Sequence, residues 1–228
     1  MTLPTTDLWH HFGRTRSATD RTVPGTFRWN WGQDSGPGAD VLGDITGLCV
    51  GDLGAGSARH AAHLAVHHQP TRVIAVDASP AQHTMAEDLY GHLAPRLRLV
   101  HCEVTRHLYA TAGAYDVLYS IFGAVDFTEP RRLLPAAAAA LRPGGRLVFS
   151  TLGHHPGGEP AHPDVRHTEI DAKTPQGERA IMRRWVLREQ VWTKLLDEAG
   201  FTRITTRTLS GGHGPRAADT LVVTALRC

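Results

Sequence analysis

An acidic residue stands where an apolar run of the sequence gives way to glycines. The run LCVGDL (48–53) contains Asp52, and the following stretch GAGSA contributes Gly54, Gly56 and Ala58. Glycine lets the backbone turn sharply and approach a ligand closely. The carboxyl ends of parallel strands border the crevice in which α/β proteins bind ligands. We therefore expect a ligand-binding loop here, although the glycines could also serve only to make a tight turn.

Two further acidic residues end predicted strands. The apolar stretch TRVIAVD (71–77) ends at Asp77, 21 residues after Gly56, and LRLVHCE (97–103) ends at Glu103. An acid at the end of a second strand can accept hydrogen bonds from both hydroxyls of a ribose. Asp77 is therefore a candidate ligand residue, and the alternative is that it only ends its strand.

The order of apolar runs and helical patterns predicts the elements that position these residues. Two more apolar strands, YDVLYSIF (115–122) and RLVFST (146–151), continue the alternation, and runs without polar alternation are typical of parallel strands covered on both faces. After a helix at 187–199, FTRITTRTLS and DTLVVTALR predict an antiparallel hairpin. The expected fold is a doubly wound α/β sheet of seven strands, five of them parallel and two forming the C-terminal hairpin.

Several motifs in this order resemble those of class I S-adenosylmethionine (SAM)-dependent methyltransferases. They are D-x-G-x-G-x-(G/A) from Asp52 to Ala58, VIAVDASP, YDVLYSIFGAVDF and the segment LRPGGRLVFST before and within strand five. The resemblance is strong over residues 45–151 and weak over 185–228. It implies a Rossmann-like fold, SAM as cofactor and S-adenosylhomocysteine (SAH) as product. Ala58 and Glu103 depart mildly from the glycine and aspartate common in the family.

The resemblance also implies a set of cofactor-binding residues. Asp77 would bind the ribose, Glu103 the adenine amino group, and Asp52 the ammonium of the amino-acid end, whose carboxylate suits the amides at the start of the next helix. Trp29 and Trp31 could close the pocket around the sulfonium or merely anchor the N-terminal segment. The complete predicted set is Trp29, Trp31, Asp52, Gly54, Gly56, Asp77, Ala78, Glu103, Val104, Ser120 and Phe122.

Methyl transfer requires an acceptor held in line with the methyl group, and a base when the acceptor carries a proton. His154 and His155 follow strand five and Asp126 follows strand four, so these three are the candidate catalytic residues, although any of them could be an ordinary loop residue. The stretch 152–186 is rich in Pro, Gly, His and Arg. We expect it to form a lid suited to a polar or acidic small molecule.

The histidines raise the question of a metal site. The sequence contains 15 of them, in two groups that are close in sequence or share a helical face, but neither group has the HExxH or CxxC spacing of an established metal motif. No metal is therefore expected. The groups are His60, His63 and His67, and His154, His155, His162 and His167.

Composition narrows the partners and the domain organisation. With 24 basic and 22 acidic residues, the charge favours neither nucleic acid nor membrane. We expect a helical cap over 1–44 and a SAM-binding domain over 45–228 with the lid inserted at 152–186. Three scattered cysteines, no signal peptide and no long apolar span predict a cytoplasmic protein, for which a homodimer is one possibility.

The sequence thus predicts a SAM-dependent methyltransferase acting on an oxygen, nitrogen or carbon atom of a small metabolite. The Ala, Arg, Gly and His bias is typical of a high-GC bacterium, where such enzymes often serve specialised metabolism. The alternatives are an aminopropyltransferase, an NAD-binding enzyme, or a non-catalytic SAM-binding subunit. Arg59 replaces the third glycine of the dinucleotide motif G-x-G-x-x-G, which disfavours NAD.

Overall fold

The structure, a computed structural model, describes residues 7–12, 22–211 and 217–228. In this part of the chain, strands and helices alternate from Cys49 onward. In chain order they are β1 (Cys49–Leu53), α1 (Arg59–His67), β2 (Arg72–Asp77), α2 (Pro80–Tyr90), β3 (Leu97–His101), α3 (Val104–Ala110), β4 (Tyr115–Ile121), α4 (Ala124–Phe127), α5 (Pro130–Ala140), β5 (Leu141–Leu152), β6 (Thr168–Lys173), β7 (Arg179–Arg184), α6 (Glu189–Glu198), β8 (Phe201–Leu209) and β9 (Thr220–Arg227). Short 3-10 helices cover Ala39–Leu42 and Gly91–Leu93.

Seven strands form one sheet in the order β3-β2-β1-β4-β5-β9-β8. The first five are parallel, and β9 runs antiparallel to both β5 and β8. The predicted doubly wound sheet with a C-terminal antiparallel hairpin is confirmed. Because the strand order reverses between β1 and β4, the crevice outside their carboxyl ends is the place where such sheets bind ligands.

Both faces of the sheet are covered, which explains the near-continuous apolar runs. One face packs against α3, α5 and α6, with Leu118 and Phe149 in its core. The other packs against α1, α2 and the segment from Phe27 to Ile45. Cys49, Cys102 and Cys228 are free thiols. No helix in the described ranges has the length and apolar character needed to span a membrane.

The predicted lid (152–186) and the described part of the predicted cap (1–44) have little regular structure. Within 152–186, β6 and β7 pair as a separate antiparallel hairpin in which exposed residues alternate with less exposed ones. The described part of the predicted helical cap, residues 7–12 and 22–44, contains the 3-10 helix Ala39–Leu42 and is otherwise loop. The remainder of that cap lies outside the described residues, so the domain boundary at 44 stays a prediction.

The loops after β1 and β4 touch each other backbone to backbone. Gly54 adopts a φ of +75°, and a Cβ atom there would lie 2.3 Å from the Ala124 backbone nitrogen. A Cβ atom on Gly123 would in turn lie 2.6 Å from the carbonyl oxygen of Gly54. The glycine at position 54 is therefore required by packing as well as by its φ angle, whatever ligand the loop binds.

We expect Gly54→Ala to lower the free energy of unfolding by at least about 3 kcal/mol, because it adds a backbone clash to the strain of a positive φ. Gly144→Ala is the matched control, since Gly144 has a φ of +76° but open space around it. Strain alone should cost that variant about 1–2 kcal/mol. Urea denaturation of both variants measures the difference, and equal losses would contradict the clash.

Candidate functional site

Asp77 holds the glycine loop at the carboxyl edge of the sheet. Its Oδ2 accepts a hydrogen bond from the Gly56 amide (2.7 Å) and its Oδ1 one from the Ser79 amide (2.8 Å). Burial raises the pKa of Asp77, and these two amides oppose the rise. Each carboxylate oxygen has two lone pairs, so both can still accept a ribose hydroxyl. The predicted ribose role is compatible with this geometry and stays a prediction.

Asp52 is a buried carboxylate without a basic partner among the described side chains. It is 3% exposed, and its Oδ2 accepts a hydrogen bond from the Tyr119 hydroxyl at 2.8 Å. Burial raises the pKa of Asp52 to about 7, with a further contribution from the charge of Asp77. A buried carboxylate of this kind is stabilised when a cation binds beside it. The register of β1 and β4 pairs Asp52 with Tyr119, a partner that we did not predict.

The first turn of α1 has no side-chain cap. Its N-cap residue is Ala58, whose φ of +60° is left-handed, and the first four amides of a helix have no partner within the helix. Next to it, Gly56 has a φ of +55°, and a Cβ atom there would lie 3.5 Å from Gln82 Oε1. Amides at an uncapped helix start suit an anion, and these lie at the same edge of the sheet as Asp52 and Asp77.

Glu103 already has hydrogen-bond partners in the protein. Its Oε1 accepts from the Thr105 amide (2.9 Å) and its Oε2 from the Arg106 amide (2.8 Å), so it caps α3. Val104 is buried, and the Ala78 carbonyl lies 3.2 Å from a ring nitrogen of His101. The predicted adenine contact would have to use the remaining lone pairs of Glu103, and it stays a prediction.

Two other predicted cofactor residues point into the protein. Trp29 is 0% exposed, packs near Phe27 and Tyr119, and donates its indole N–H to the Gly38 carbonyl. The Ser120 hydroxyl, also fully buried, donates to the Leu53 carbonyl. These contacts favour the anchoring alternative for Trp29 and a structural tie between β1 and β4 for Ser120.

Trp31 and Phe122 are placed differently, because both are only partly buried. Their rings meet edge to face with centroids 4.9 Å apart. Phe122 has a φ of +47°, which is unusual for an aromatic residue and characteristic of functional sites where packing enforces strain. The two rings therefore form a wall next to the loop after β4.

The adjacent histidines His154 and His155 differ in their hydrogen bonds. His154 Nε2 accepts from the Asp219 amide (3.1 Å), so its Nδ1 carries the proton and donates to the His155 carbonyl (2.9 Å). In contrast, His155 Nε2 is buried and has no hydrogen-bond partner within the described residues. Burial lowers the pKa of the His155 ring, as does its neighbour His162. His155 is therefore a neutral imidazole with an unused nitrogen.

Asp126 forms a buried ion pair that the sequence did not reveal. Its Oδ2 accepts from Nη2 (2.6 Å) and Nε (3.1 Å) of Arg184, the last residue of β7. The guanidinium lies 4.9 Å from the Trp31 ring centroid and 5.3 Å from that of Phe127. Burial raises the pKa of Asp126 and the Arg184 charge opposes this. Such a partner favours an anchoring role for Asp126 over a role as base.

Residues 7–12, which we call the strap, cross the same edge of the sheet. Asp7 Oδ2 accepts from the Ala81 amide (3.2 Å), and Gln82 donates to the carbonyls of Trp9 and Phe12 (3.0 and 2.8 Å). The Trp9 ring packs on Phe127 with centroids 4.6 Å apart. The strap thereby connects α2 with α4. No pattern in the sequence indicated these contacts.

The histidines of α1 form a cluster away from this edge. His63 Nδ1 lies 2.7 Å from the Pro24 carbonyl, and its Nε2 lies 3.3 Å from that of His68. Burial lowers the pKa of His60 to about 4. No group of three or more metal-ligating side chains occurs among the described residues. The expectation that the protein binds no metal stays a prediction.

The part of the chain that runs from β1 to the start of β5 is similar to a known family. Residues 50–145 match the family described as a methyltransferase domain. No curated protein matched the chain. With the fold neighbours below, the family match confirms the predicted resemblance.

Three solved structures illustrate the likeness in fold. A SAM-dependent methyltransferase of Mesorhizobium loti is 19% identical, with a TM-score of 0.56, over 82% of this chain and 94% of that one. The 1,6-didemethyltoxoflavin-N1-methyltransferase of Burkholderia thailandensis is 23% identical, with a TM-score of 0.56, over 83% and 74%. The [4+2]-cyclase SpnF is 16% identical, with a TM-score of 0.60, over 83% and 80%. At these identities the likeness concerns the fold.

The raised pKa of Asp52 predicts a specific pH dependence of stability. The folded state keeps a proton on Asp52 up to about pH 7, whereas the unfolded state loses it near pH 3.9. The contribution of Asp52 to the free energy of unfolding therefore falls as the pH rises between these two pKa values, by about 1.4 kcal/mol per pH unit. Asp52→Asn should gain stability relative to the wild type by that amount per unit between pH 5 and 7.

Urea denaturation of both proteins across this range measures the difference. The control is Asp88→Asn, which alters an exposed acid on α2 and should leave the pH dependence unchanged. A constant difference between Asp52→Asn and the wild type from pH 5 to 7 would show that Asp52 ionises normally.

Proposed function

We propose that this protein is a SAM-dependent methyltransferase that acts on a small-molecule acceptor. The observation that supports the proposal most directly is the meeting of Asp52, Asp77 and the uncapped first turn of α1 at the crevice between β1 and β4. This crevice belongs to the segment that matches the methyltransferase-domain family.

The polar groups at the crevice fit the parts of SAM. The uncapped amides of α1 suit its carboxylate, and Asp52, buried with no basic partner among the described residues, suits its ammonium. The free lone pairs of Asp77 suit the ribose hydroxyls. When bound, SAM would supply a methyl group, and its sulfonium sulfur would keep the electron pair of the broken bond as a neutral thioether. The chain's own residues then have to bind the acceptor, exclude water and remove a proton.

His155 is our candidate for the proton acceptor. It follows β5, carries a ring whose pKa burial lowers, has an unpartnered buried Nε2, and lies near enough to Arg184 to interact with it electrostatically. A base must be unprotonated and within reach of the proton that it accepts. In this proposal the acceptor's O–H or N–H proton passes to His155 Nε2. His154 holds the backbone of Asp219, and Asp126 anchors Arg184.

A small acceptor fits the surroundings of this edge better than a polymer does. The strap, the Trp31–Phe122 wall and the 152–186 insertion all lie around it, and a net charge of +2 offers no basic surface for nucleic acid. The fold neighbour from Burkholderia thailandensis was solved with bound 1,6-didemethyltoxoflavin and SAH, so this fold accommodates a small acceptor. We extend the proposal to a metabolite of bacterial specialised metabolism.

Calorimetric titration with SAM, SAH and NAD tests the cofactor assignment. We expect micromolar binding of SAM and SAH and no binding of NAD. Asp77→Ala should weaken SAH binding by about 1.5–3 kcal/mol through lost ribose hydrogen bonds, and Asp88→Ala, which alters an exposed acid, should not. Binding of NAD alone, or unchanged SAH affinity in Asp77→Ala, would contradict the cofactor site.

Paired histidine variants test the assignment of the base. With an acceptor found by screening, His155→Gln should reduce kcat by about 10²–10⁴-fold and leave SAH affinity unchanged. Because the pKa of His155 is lowered, the wild-type rate should be flat above about pH 6.5 and fall only at lower pH. His154→Gln should instead lower the melting temperature. If His155→Gln kept full kcat, the base would have to be another group.

A further inference from the structure

Among the described residues of the 152–186 insertion, Arg184 is the one buried basic side chain, and it lies at the edge of the sheet. It is 7% exposed, whereas its neighbour Arg183 on β7 is exposed. The alternation of the strand turns Arg184 inward, and Trp185 fixes the end of β7 by donating its amide N–H to the Asp126 carbonyl (2.7 Å). Arg184 is thus held in place from two directions.

Stability alone does not account for this ion pair. A buried ion pair is often no more stable than an apolar pair of similar volume, because both charges lose their hydration. The remaining oxygen of Asp126 is also poorly partnered. Asp126 Oδ1 and the Thr151 hydroxyl are both buried and make no well-formed hydrogen bond in the described part of the chain, although the hydroxyl lies close enough to donate to Asp126 and so to lower its pKa.

One edge of the guanidinium remains available. Nε and Nη2 donate to Asp126 Oδ2, but Nη1 has no partner among the described residues and is not fully enclosed. The aromatic rings of Trp31 and Phe127 fix the position of the guanidinium. His155, whose Nε2 has no partner, lies near enough to interact electrostatically with Arg184. A fixed donor and an unused acceptor therefore lie near each other.

We propose that Arg184 is a specificity residue whose Nη1 binds an uncharged oxygen of the methyl acceptor, such as an amide or keto carbonyl. This inference rests on the proposed function. Asp126 offsets the charge of Arg184, and its negative charge would repel a second carboxylate bound at the same place. A neutral carbonyl gains the hydrogen bond without that repulsion. The Trp31–Phe122 wall suits a planar acceptor.

The inference narrows the expectation of a polar or acidic acceptor to a polar acceptor without charge. The nearby arginines face in different directions, and the buried one is already paired with a carboxylate. Its remaining N–H groups can still donate hydrogen bonds, but the ion pair as a whole carries no net charge. Selection then depends on where an oxygen lies in the acceptor rather than on the acceptor's charge.

Three matched probes test the proposal: 2-hydroxybenzamide, 2-hydroxybenzoate and phenol. Binding is measured by calorimetry with SAH present at saturation. We expect the benzamide to bind about tenfold more tightly than phenol, as one hydrogen bond provides, and the benzoate to bind no more tightly than phenol. Preference for the benzoate, or no preference for the benzamide, overturns the inference.

Variants separate Arg184 from the rest of the site. Arg184→Lys keeps the charge but loses the forked donor, and the double variant Asp126→Asn/Arg184→Gln keeps a neutral hydrogen-bonded pair in case the lysine variant does not fold. Both should lose the benzamide preference and keep SAH affinity. Arg183→Lys, on the exposed face of the same strand, should retain the preference. A preference that survives in both Arg184 variants overturns the inference.

The same titrations distinguish failure of this inference from failure of the proposed function. If SAH does not bind the wild-type protein, the proposed methyltransferase function fails at its first step. If SAH binds and the Arg184 variants behave like the wild type toward all three probes, only the assignment of Arg184 is wrong.

Discussion

The backbone contact between the loops after β1 and β4 is the constraint on which the site depends. Because the strand order reverses there, the two loops diverge toward opposite faces of the sheet, and only glycine at 54 and 123 allows them to touch at the point of divergence. The loop after β1 then leads into the uncapped first turn of α1. The loop after β4 leads through the strained Phe122 to α4, which carries Asp126. One contact thus fixes the loop after β1, which we propose to bind the cofactor, relative to the loop after β4, which leads to the proposed acceptor site.

Three carboxylates, the buried Asp52 and Asp126 and the partly buried Asp77, lie at this edge of the sheet, and each is stabilised in a different way. Asp77 accepts backbone amides, Asp52 accepts one phenol hydroxyl, and Asp126 pairs with a guanidinium. Burial raises the pKa of all three. Only Asp126 has a cationic partner within the described residues. Of the two carboxylates without a cation, Asp52 has only the Tyr119 hydroxyl to offset its desolvation, so it is the group to which a ligand's positive charge would contribute most.

The sheet could be predicted almost completely from the sequence, whereas the acceptor side could not. Strands buried on both faces leave apolar runs that are readable without any tertiary information. The start of α2 is equally local, because the Ser79 side chain caps the helix and Pro80 directly follows it. In contrast, Arg184 meets Asp126 across 58 residues, and Gln82 meets Trp9 across 73. Such contacts depend on how two irregular segments fold onto the sheet, and no local periodicity encodes them. Tyr119 is intermediate, since a single tyrosine opposite Asp52 becomes meaningful only once the register is known.

The difference between the two sides also explains why the acceptor is harder to infer than the cofactor. Groups facing the β1–β4 crevice lie at strand ends, so their positions follow from the order of the strands. The groups that we propose to face the acceptor come from the 152–186 insertion, the strap and the Trp31 segment, which are joined mainly by side chains. Arg184 belongs to the 152–186 insertion and contacts Trp31, Phe127 and Asp126. It therefore joins the insertion directly to the Trp31 segment and to α4. Phe127 in turn packs against Trp9 of the strap, so the strap is joined to Arg184 indirectly. A change of acceptor during evolution would therefore have to alter Arg184 or its surroundings, while the crevice between β1 and β4 could remain as it is.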